Sequence, residues 1–237
     1  MLKIVDPYRE ECSSHWYYKF LFRVGALPNV LFLSPYQPTE LVHDLDEMTS
    51  RRKLIVIPYP FQERFAIQPS MAHRRHQIIF SGNDGRNLYP ERVKFLRRVR
   101  RHPLLRWTTQ VLRHPGYPDV GHTPVHHLIG PRYIQHLSQF RFMFLSPSRC
   151  GLEFLKYSEC AYARCVPVGV PPNSFSINQK RPFLEIDCDH PFWSLWRILT
   201  LPVPELQERA DAYYRAMKAE RDPSVLNARF DAFIQNS

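Results

Sequence analysis

Lys156 and Glu159 stand three residues apart, so on a helix they share a face: a cation that can meet phosphate beside a carboxylate that can accept both hydroxyls of a vicinal diol. They lie within FRFMFLSPSRCGLEFLKYSECAYARCVPVGV, residues 140–170. By its pattern this stretch is an apolar strand, a Ser/Pro/Gly-bearing turn, an amphipathic helix from about Arg149 to Ala163, and a short strand opened by Cys165-Val166-Pro167. A strand that delivers the chain into a helix N-terminus aims free backbone N–H groups and a positive dipole end at one place, where a pyrophosphate can sit. Ser146, Ser148 and Arg149 occupy that turn. Hydroxyls and amides there could hold phosphate, and Arg149 could neutralise charge developing on a departing diphosphate. The plainer alternatives are Ser148 as a simple N-cap and Lys156–Glu159 as a solvated surface pair.

Other residue types point to the same chemistry. Gly82, followed by Asn83-Asp84-Gly85, comes after an apolar run, where the lack of a side chain admits a ligand; an ordinary turn reads the same way. Arg86 and Arg92 are candidates for phosphate contact, with Arg92 also placed as a helix-face residue. RHPGYPDVGHTPVHHLIGPRY carries His114, His122, His126 and His127. Pro124 denies these histidines a helical frame and no Cys is near, so a metal site is not expected. A loop with Tyr117 or one histidine over a nucleoside competes with a plain exposed loop. For a general base, Asp6, His15 and Asp44 are the available groups, with DPYREECSSHWYY setting polar groups beside aromatics.

The elements that must position these residues follow from short apolar runs at Val30–Leu33, Leu54–Ile57, Ile78–Phe80, Trp107–Leu112, Phe140–Leu145 and Val166–Val170. Continuous apolar runs of this length are strands buried on both faces. Helical segments are predicted between them: from Thr39 to about Ser50, from Pro90 to about Arg101, from Gly130-Pro131 to Ser138, and from Arg149 to Ala163. Strand alternating with helix means a Rossmann-like parallel α/β sheet with right-handed crossovers. Helices at Phe192–Thr200, Pro204–Ala219 and Pro223–Ile234 finish the chain. The proline-bearing segment Pro58–His76 divides a short first lobe, residues 1–70, from an α/β domain, 75–200, with helices of 201–237 packing back on the first lobe. Ligands of open α/β sheets bind at the carboxyl ends of the strands. The loops to watch are therefore Ser81–Asn87, Arg113–His127, Ser146–Cys150 and Gly169–Phe175.

Composition sets the outer limits. The 237 residues, 44% hydrophobic and 14% aromatic, suffice for a real core. With 22 Pro and 8 Gly, a Gly-rich phosphate loop is not expected. The five cysteines are odd in number and lack CxxC spacing; with acidic residues where a signal peptide would be apolar, they predict reduced thiols and a cytoplasmic setting. Much of the net charge of +10 falls in RVKFLRRVRRHPLLR, residues 92–106. A solvated helix face, attraction to polyanionic substrate or an anionic membrane surface, and nucleic-acid binding compete for it. Nucleic acid is the least expected, since no recognised motif accompanies the charge.

QIIFSGNDGRNLYPERVKFLRRV resembles the strand, loop and helix that open the C-terminal, nucleotide-sugar-binding half of GT-B glycosyltransferases, in the exostosin-like and CgeB-like groups. YIQHLSQFRFMFLSPSRCGLEFLKYSECAYARCVPVGV resembles their "R.FEALAAGCVPV" signature, and LIVIPYPFQERF the link between the two halves. The resemblance covers about residues 50–175. It implies a GT-B-type fold and transfer of a sugar from a UDP- or GDP-linked donor to a glycan or other hydroxyl acceptor, with no obligate metal and no further cofactor. It puts Glu159 on the ribose, and Lys156, Arg149 and Ser148 near the diphosphate. The base would come from the first lobe, as His15 or Asp6. Arg164 stands where the family has Gly, which implies a helix end made without the left-handed glycine. A second reading keeps the binding and drops the chemistry: a non-catalytic α/β module derived from a glycosyltransferase that binds a nucleotide or a partner chain.

Overall fold

The structure, a computed structural model, describes residues 2–3, 23–24, 27, 29–35, 53–68, 70–82, 89–115, 126–148 and 151–235. The chain divides into two compact units: Met1–Phe61 with Cys150–Leu152 and Ala219–Ser237, and Gln62–Arg149 with Glu153–Lys218. The smaller unit holds three short parallel strands, β1 (Leu2–Lys3), β2 (Phe32–Ser34) and β3 (Leu54–Val56), in that order across the sheet.

The larger unit is built on five parallel strands: β4 (Arg75–Ser81), β5 (Thr109–Leu112), β6 (Phe140–Leu145), β7 (Val166–Gly169) and β8 (Leu184–Glu185). Their order across the sheet is β5-β4-β6-β7-β8. The chain runs outward from β4 to β5, then crosses back past β4 to reach β6. The winding direction reverses at that step, and a crevice opens beyond the carboxyl end of β4, between the segment that follows β5 and the helix that follows β6. Between the strands come α1 (Pro90–Arg101), α2 (Pro131–Leu137), α3 (Leu155–Tyr162) and α4 (Ile177–Lys180), followed by α5 (Pro191–Leu199) and α6 (Val203–Arg221). The last helix, α7 (Pro223–Gln235), falls in the smaller unit.

Strand periodicity explains the core. Ile78 and Phe80 of β4, Phe142 and Phe144 of β6, and Val166 and Val168 of β7 point to one face, where they meet Phe95 and Val99 of α1 and Leu195 and Ile198 of α5. Phe80, Phe95 and Phe144 stack with centroids 4.6–5.3 Å apart, and each such buried ring contributes about 2–3 kcal/mol. The alternate residues Ile79, Met143 and Leu145 are also buried, as strands covered on both faces require. At the end of β7, Gly169 has φ +126°, and a Cβ there would stand 2.1 Å from the Leu145 carbonyl oxygen. Only glycine lets β7 leave its neighbour at that point.

The structure corrects several expectations. The helix carrying Lys156 and Glu159 starts at Leu155, not Arg149, with Phe154 at its N-cap and no side chain capping it. Ser148 therefore lies in the preceding loop, outside the N-cap position of that helix. Arg164 does adopt the left-handed conformation, with φ 52°. Cys165 N–H donates to Cys160 O and Arg164 N–H to Ala161 O, each at 3.1 Å, which closes the helix with the paired bonds usually made around a glycine. Two contacts hold the arginine there: its guanidinium pairs with Asp211 at 2.5 Å and lies 3.4 Å over the Tyr214 ring. The buried Arg74 guanidinium donates to the Ala163 and Arg164 carbonyls at 3.1 and 2.7 Å. The segment Pro58–His76 contains two 3₁₀ turns, Glu63–Phe65 and Met71–His73, and the first residues of β4. The predicted helix from Thr39 to Ser50 lies outside the described residues. No helix among the described residues is long and apolar enough to cross a membrane.

Candidate functional site

β4 ends at Ser81, and Gly82 continues its pairing with β5 through a 3.1 Å bond from its N–H to the Leu112 carbonyl. The chain turns there with φ +100°, a conformation that suits glycine. The reason for the empty position is Lys156. Its ammonium reaches across from the first turn of α3 and donates to the Ser81 carbonyl at 2.6 Å. A Cβ on Gly82 would lie 1.6 Å from Lys156 Nζ. Beside it, two cations approach the Tyr89 ring, with Arg92 Cζ at 5.1 Å and Lys156 Nζ at 5.9 Å from its centroid. Arg92 is 2% exposed, which replaces the helix-face reading with a buried guanidinium beneath the crevice.

One turn along α3, Glu159 joins Lys156, Ser81, Gly82 and Tyr133 in lining a cavity of about 180 Å³. The far wall is made by Arg113, His114 and Pro115 after β5 and by His126 and Leu128–Gly130 ahead of α2. His126 ties these two segments together. Its Nδ1 accepts from Leu128 N–H at 3.2 Å, which leaves Nε2 to donate to the Arg113 carbonyl at 2.8 Å. Across the cavity floor, the Ser81 and Tyr133 hydroxyls meet at 2.5 Å.

The electrostatics follow from burial. Desolvation lowers the Lys156 ammonium from its ordinary range, and the Arg92 charge adds to that, against an opposing pull from Glu159. Desolvation raises the Glu159 carboxyl, and the Lys156 charge pulls it back. The Tyr133 hydroxyl is raised by burial first and by the Glu159 charge second. Among the described residues, the Glu159 carboxylate has no hydrogen bond and no ion pair. It is a half-buried acceptor facing an open cavity. Such an arrangement can take hydrogen from a ligand hydroxyl pair while the adjacent cations meet an anion.

The sequence-predicted residues separate clearly. Gly82, Lys156 and Glu159 come together on one cavity. Ser146 follows β6 directly and is buried, its hydroxyl without a partner among the described residues, but it does not line that cavity. Ser148 is half-buried in the next loop. Arg86, Tyr117, Arg149, Asp6, His15 and Asp44 lie outside the described residues. His114 and His126 reach the cavity wall, and no group of three or more metal-ligating side chains forms among the described residues. Tyr133 was not singled out in sequence. Its signal is positional, since it lies in the first turn of a helix opened by Gly130-Pro131, facing the end of β4.

No family model matches the sequence, and no curated protein matches it either. Solved structures do match the fold. A UDP-forming α,α-trehalose-phosphate synthase from Burkholderia xenovorans superposes with a TM-score of 0.63 at 16% identity, over 99% of this chain and 67% of that one. A Burkholderia xenovorans synthase of the same kind in complex with glucose-6-phosphate gives 0.58 at 14%, over 92% and 71%. The E. coli trehalose-6-phosphate structure bound with UDP-2-fluoro glucose gives 0.60 at 16%, over 97% and 65%. The chain spans about two thirds of the length of these structures. At such identities the likeness is one of architecture: this is a Rossmann-like, parallel α/β fold of the kind found in GT-B glycosyltransferases.

Proposed function

We propose that this protein binds a nucleoside-diphosphate sugar at the crevice beyond the carboxyl end of β4 and transfers the sugar, a hexose or pentose, to a hydroxyl acceptor. The observation that carries the reading is the Glu159 carboxylate, unpartnered among the described residues, on the wall of a cavity at the carboxyl end of β4, a central strand of the sheet. Its two oxygens accept the ribose hydroxyls, bidentate acceptance suiting a vicinal diol. Lys156 and Arg92 face the diphosphate, and their charge stabilises the departing nucleoside diphosphate without an obligate metal. Gly82 allows the phosphates close to the backbone. At about 180 Å³ the cavity is smaller than the roughly 300–1,000 Å³ of most small-molecule sites, so it takes the nucleoside part while the sugar extends outward. The fold neighbours support the donor class, one being described as UDP-forming and another as bound with UDP-2-fluoro glucose. The finer kinship with exostosin-like and CgeB-like enzymes rests on the Tyr89-Pro90 and Cys165–Val168 motifs. Asp6 and His15 remain the candidate bases.

A second reading, a binding module without turnover, draws on the same geometry. Lys156 already commits its ammonium to the Ser81 carbonyl. One experiment tests both. Thermal unfolding is followed with UDP, GDP, ADP and CDP, and then with UDP-sugars over hours to detect released UDP. A ligand at one hundred times its Kd stabilises the native state by about 2.7 kcal/mol. A rise with one diphosphate, lost in Glu159→Ala, supports the site. Slow release of UDP from a UDP-sugar separates enzyme from module, and no shift with any diphosphate overturns both.

A further inference from the structure

The basic run of residues 92–106 folds into a surface that the nucleotide crevice does not use. Of the exposed positions of α1, 94, 97, 98 and 101 repeat with helical spacing, so Lys94, Arg97, Arg98 and Arg101 form one outward stripe, with exposed Arg100 to one side of it. Lys94 is paired with Glu91 and Asp189. Among the described residues Arg97, Arg98 and Arg101 have no ion pair. The turn after α1 then exposes Leu104 and Trp107, each 70% accessible, with Arg106 5.0 Å over the Trp107 ring.

The neighbouring α5 extends this surface. Trp193 and Trp196, 75% and 61% accessible, lie three residues apart on its outer side beside exposed Arg197. Phe192 joins the two elements, contacting His102 at 5.2 Å on one side and Trp193 at 5.2 Å on the other. Arg106 N–H donates to the His102 carbonyl, so the Leu104–Trp107 turn is fixed at the same seam. Three of the chain's four tryptophans are thus spent on solvent beside unpaired arginines. No core argument explains that, because α1 and α5 already bury Phe95, Val99, Leu195 and Ile198 on their inner sides.

We propose that this face binds the surface of an anionic lipid bilayer, with the arginines on headgroup phosphates and carboxylates and the indoles in the interfacial layer. Tryptophan beside arginine on a helix surface is the composition that partitions into such an interface. Charge complementarity selects the partner. A second copy of the same face would set arginines against arginines, and the patch is an outward array of side chains, not a groove that could follow a nucleic-acid strand. The face also leaves the crevice free. Trp107 precedes β5 and the Leu199 carbonyl meets His76 early in β4, so the patch reaches toward the amino edge of the sheet while the crevice opens at the carboxyl edge.

The test is co-sedimentation of the full chain with vesicles of phosphatidylcholine alone or containing one third phosphatidylserine, with tryptophan emission recorded in parallel. The expected result is binding to the anionic vesicles only, with a blue shift of the emission. Each arginine near such a surface contributes roughly a fivefold gain. Arg97→Gln, Arg98→Gln and Arg101→Gln together should therefore weaken binding on the order of 100-fold, and Trp193→Ser with Trp196→Ser should remove most of the blue shift. These variants lie outside the crevice and should keep the wild-type melting temperature and any response to nucleoside diphosphates, so failure here is distinguishable from failure of the donor-site reading. Absence of anionic-vesicle binding overturns the proposal. So does retention on RNA or heparin with no blue shift on lipid, or vesicle binding that survives both sets of substitutions.

Discussion

Gly82→Ala tests how tightly the crevice is built. The added methyl would meet Lys156 Nζ at 1.6 Å and Cε at 2.7 Å, and alanine must also accept φ +100°. The left-handed conformation costs about 1–2 kcal/mol for a residue with a Cβ. The lysine can swing away, but it then gives up its 2.6 Å bond to the Ser81 carbonyl. A bond to a charged group contributes about 1.5–3 kcal/mol; rehydration of the half-buried ammonium recovers part of that, leaving about 1 kcal/mol. The sum is about 2–3 kcal/mol, or a fall in Tm of about 5–10 °C for a chain of this size. The assay is urea unfolding of wild type, Gly82→Ala, Lys156→Ala and the double variant. With Lys156 shortened, the methyl's nearest remaining neighbour is Arg92 Nη1 at 3.4 Å, an ordinary van der Waals contact, so Gly82→Ala should cost about 1 kcal/mol less in that background. A cost below about 0.5 kcal/mol in wild type, or the same cost in both backgrounds, would refute the reasoning.

Arg164 offers a cleaner test of backbone strain. Arg164→Ala and Arg164→Gly both lose the Asp211 pair and the Tyr214 contact, but only alanine keeps a Cβ at φ 52°. The glycine variant should be the more stable of the two by about 1 kcal/mol in urea, and the reverse order contradicts the helix-end geometry. The pH dependence of stability should report Glu159. Its carboxyl is raised from the ordinary 4.5, so above that pH the native state holds a proton the unfolded chain has lost, and stability falls as pH rises through the shifted value. Lys156, lowered from 10.5, acts with the opposite sign, its contribution falling as pH drops below that value. Glu159→Gln removes the first effect, so its urea midpoint should gain on wild type between pH 4.5 and neutrality; a constant difference is inconsistent with a desolvated carboxylate.

The centre of the larger sheet was legible because β6, β7 and the second half of β4 are covered on both faces and read as apolar runs, with Phe140–Leu145 matching to the residue, whereas β5 (Thr109–Leu112) is an edge strand with no buried residue. The helix Pro90–Arg101 was equally clear, with proline at its first position and charge on its outer face. Two-residue strands such as Leu2–Lys3 and Leu184–Glu185 are too short to carry a period, so tertiary pairing alone defines them. The start of α3 was misplaced because Ser148 has the chemistry of a cap, whereas the actual cap, Phe154, uses no side chain. That error moved Ser146 and Ser148 toward the helix N-terminus but left Lys156 and Glu159 where the pattern put them, since their spacing depends only on the helix itself. At Arg164 the sequence implies a helix end made without the left-handed glycine, and the structure makes it with a left-handed arginine. Sequence counts the cost of a left-handed arginine, while the compensation comes from Asp211 and Tyr214 on a distant helix. The Ser81–Tyr133 bond joins two segments brought together by the sheet, and no local pattern records it.

The pairing of Glu159 with a ribose diol can be measured directly by calorimetric titration of wild type and Glu159→Ala with UDP, GDP and their 2′-deoxy counterparts. Loss of one hydroxyl bonded to this half-buried carboxylate should weaken binding to wild type about tenfold or more. In the alanine variant, ribose and deoxyribose forms should bind alike. Wild type that does not distinguish the two sugars, or a variant that still does, would contradict the assignment of Glu159 and with it the donor site at the carboxyl edge of β4.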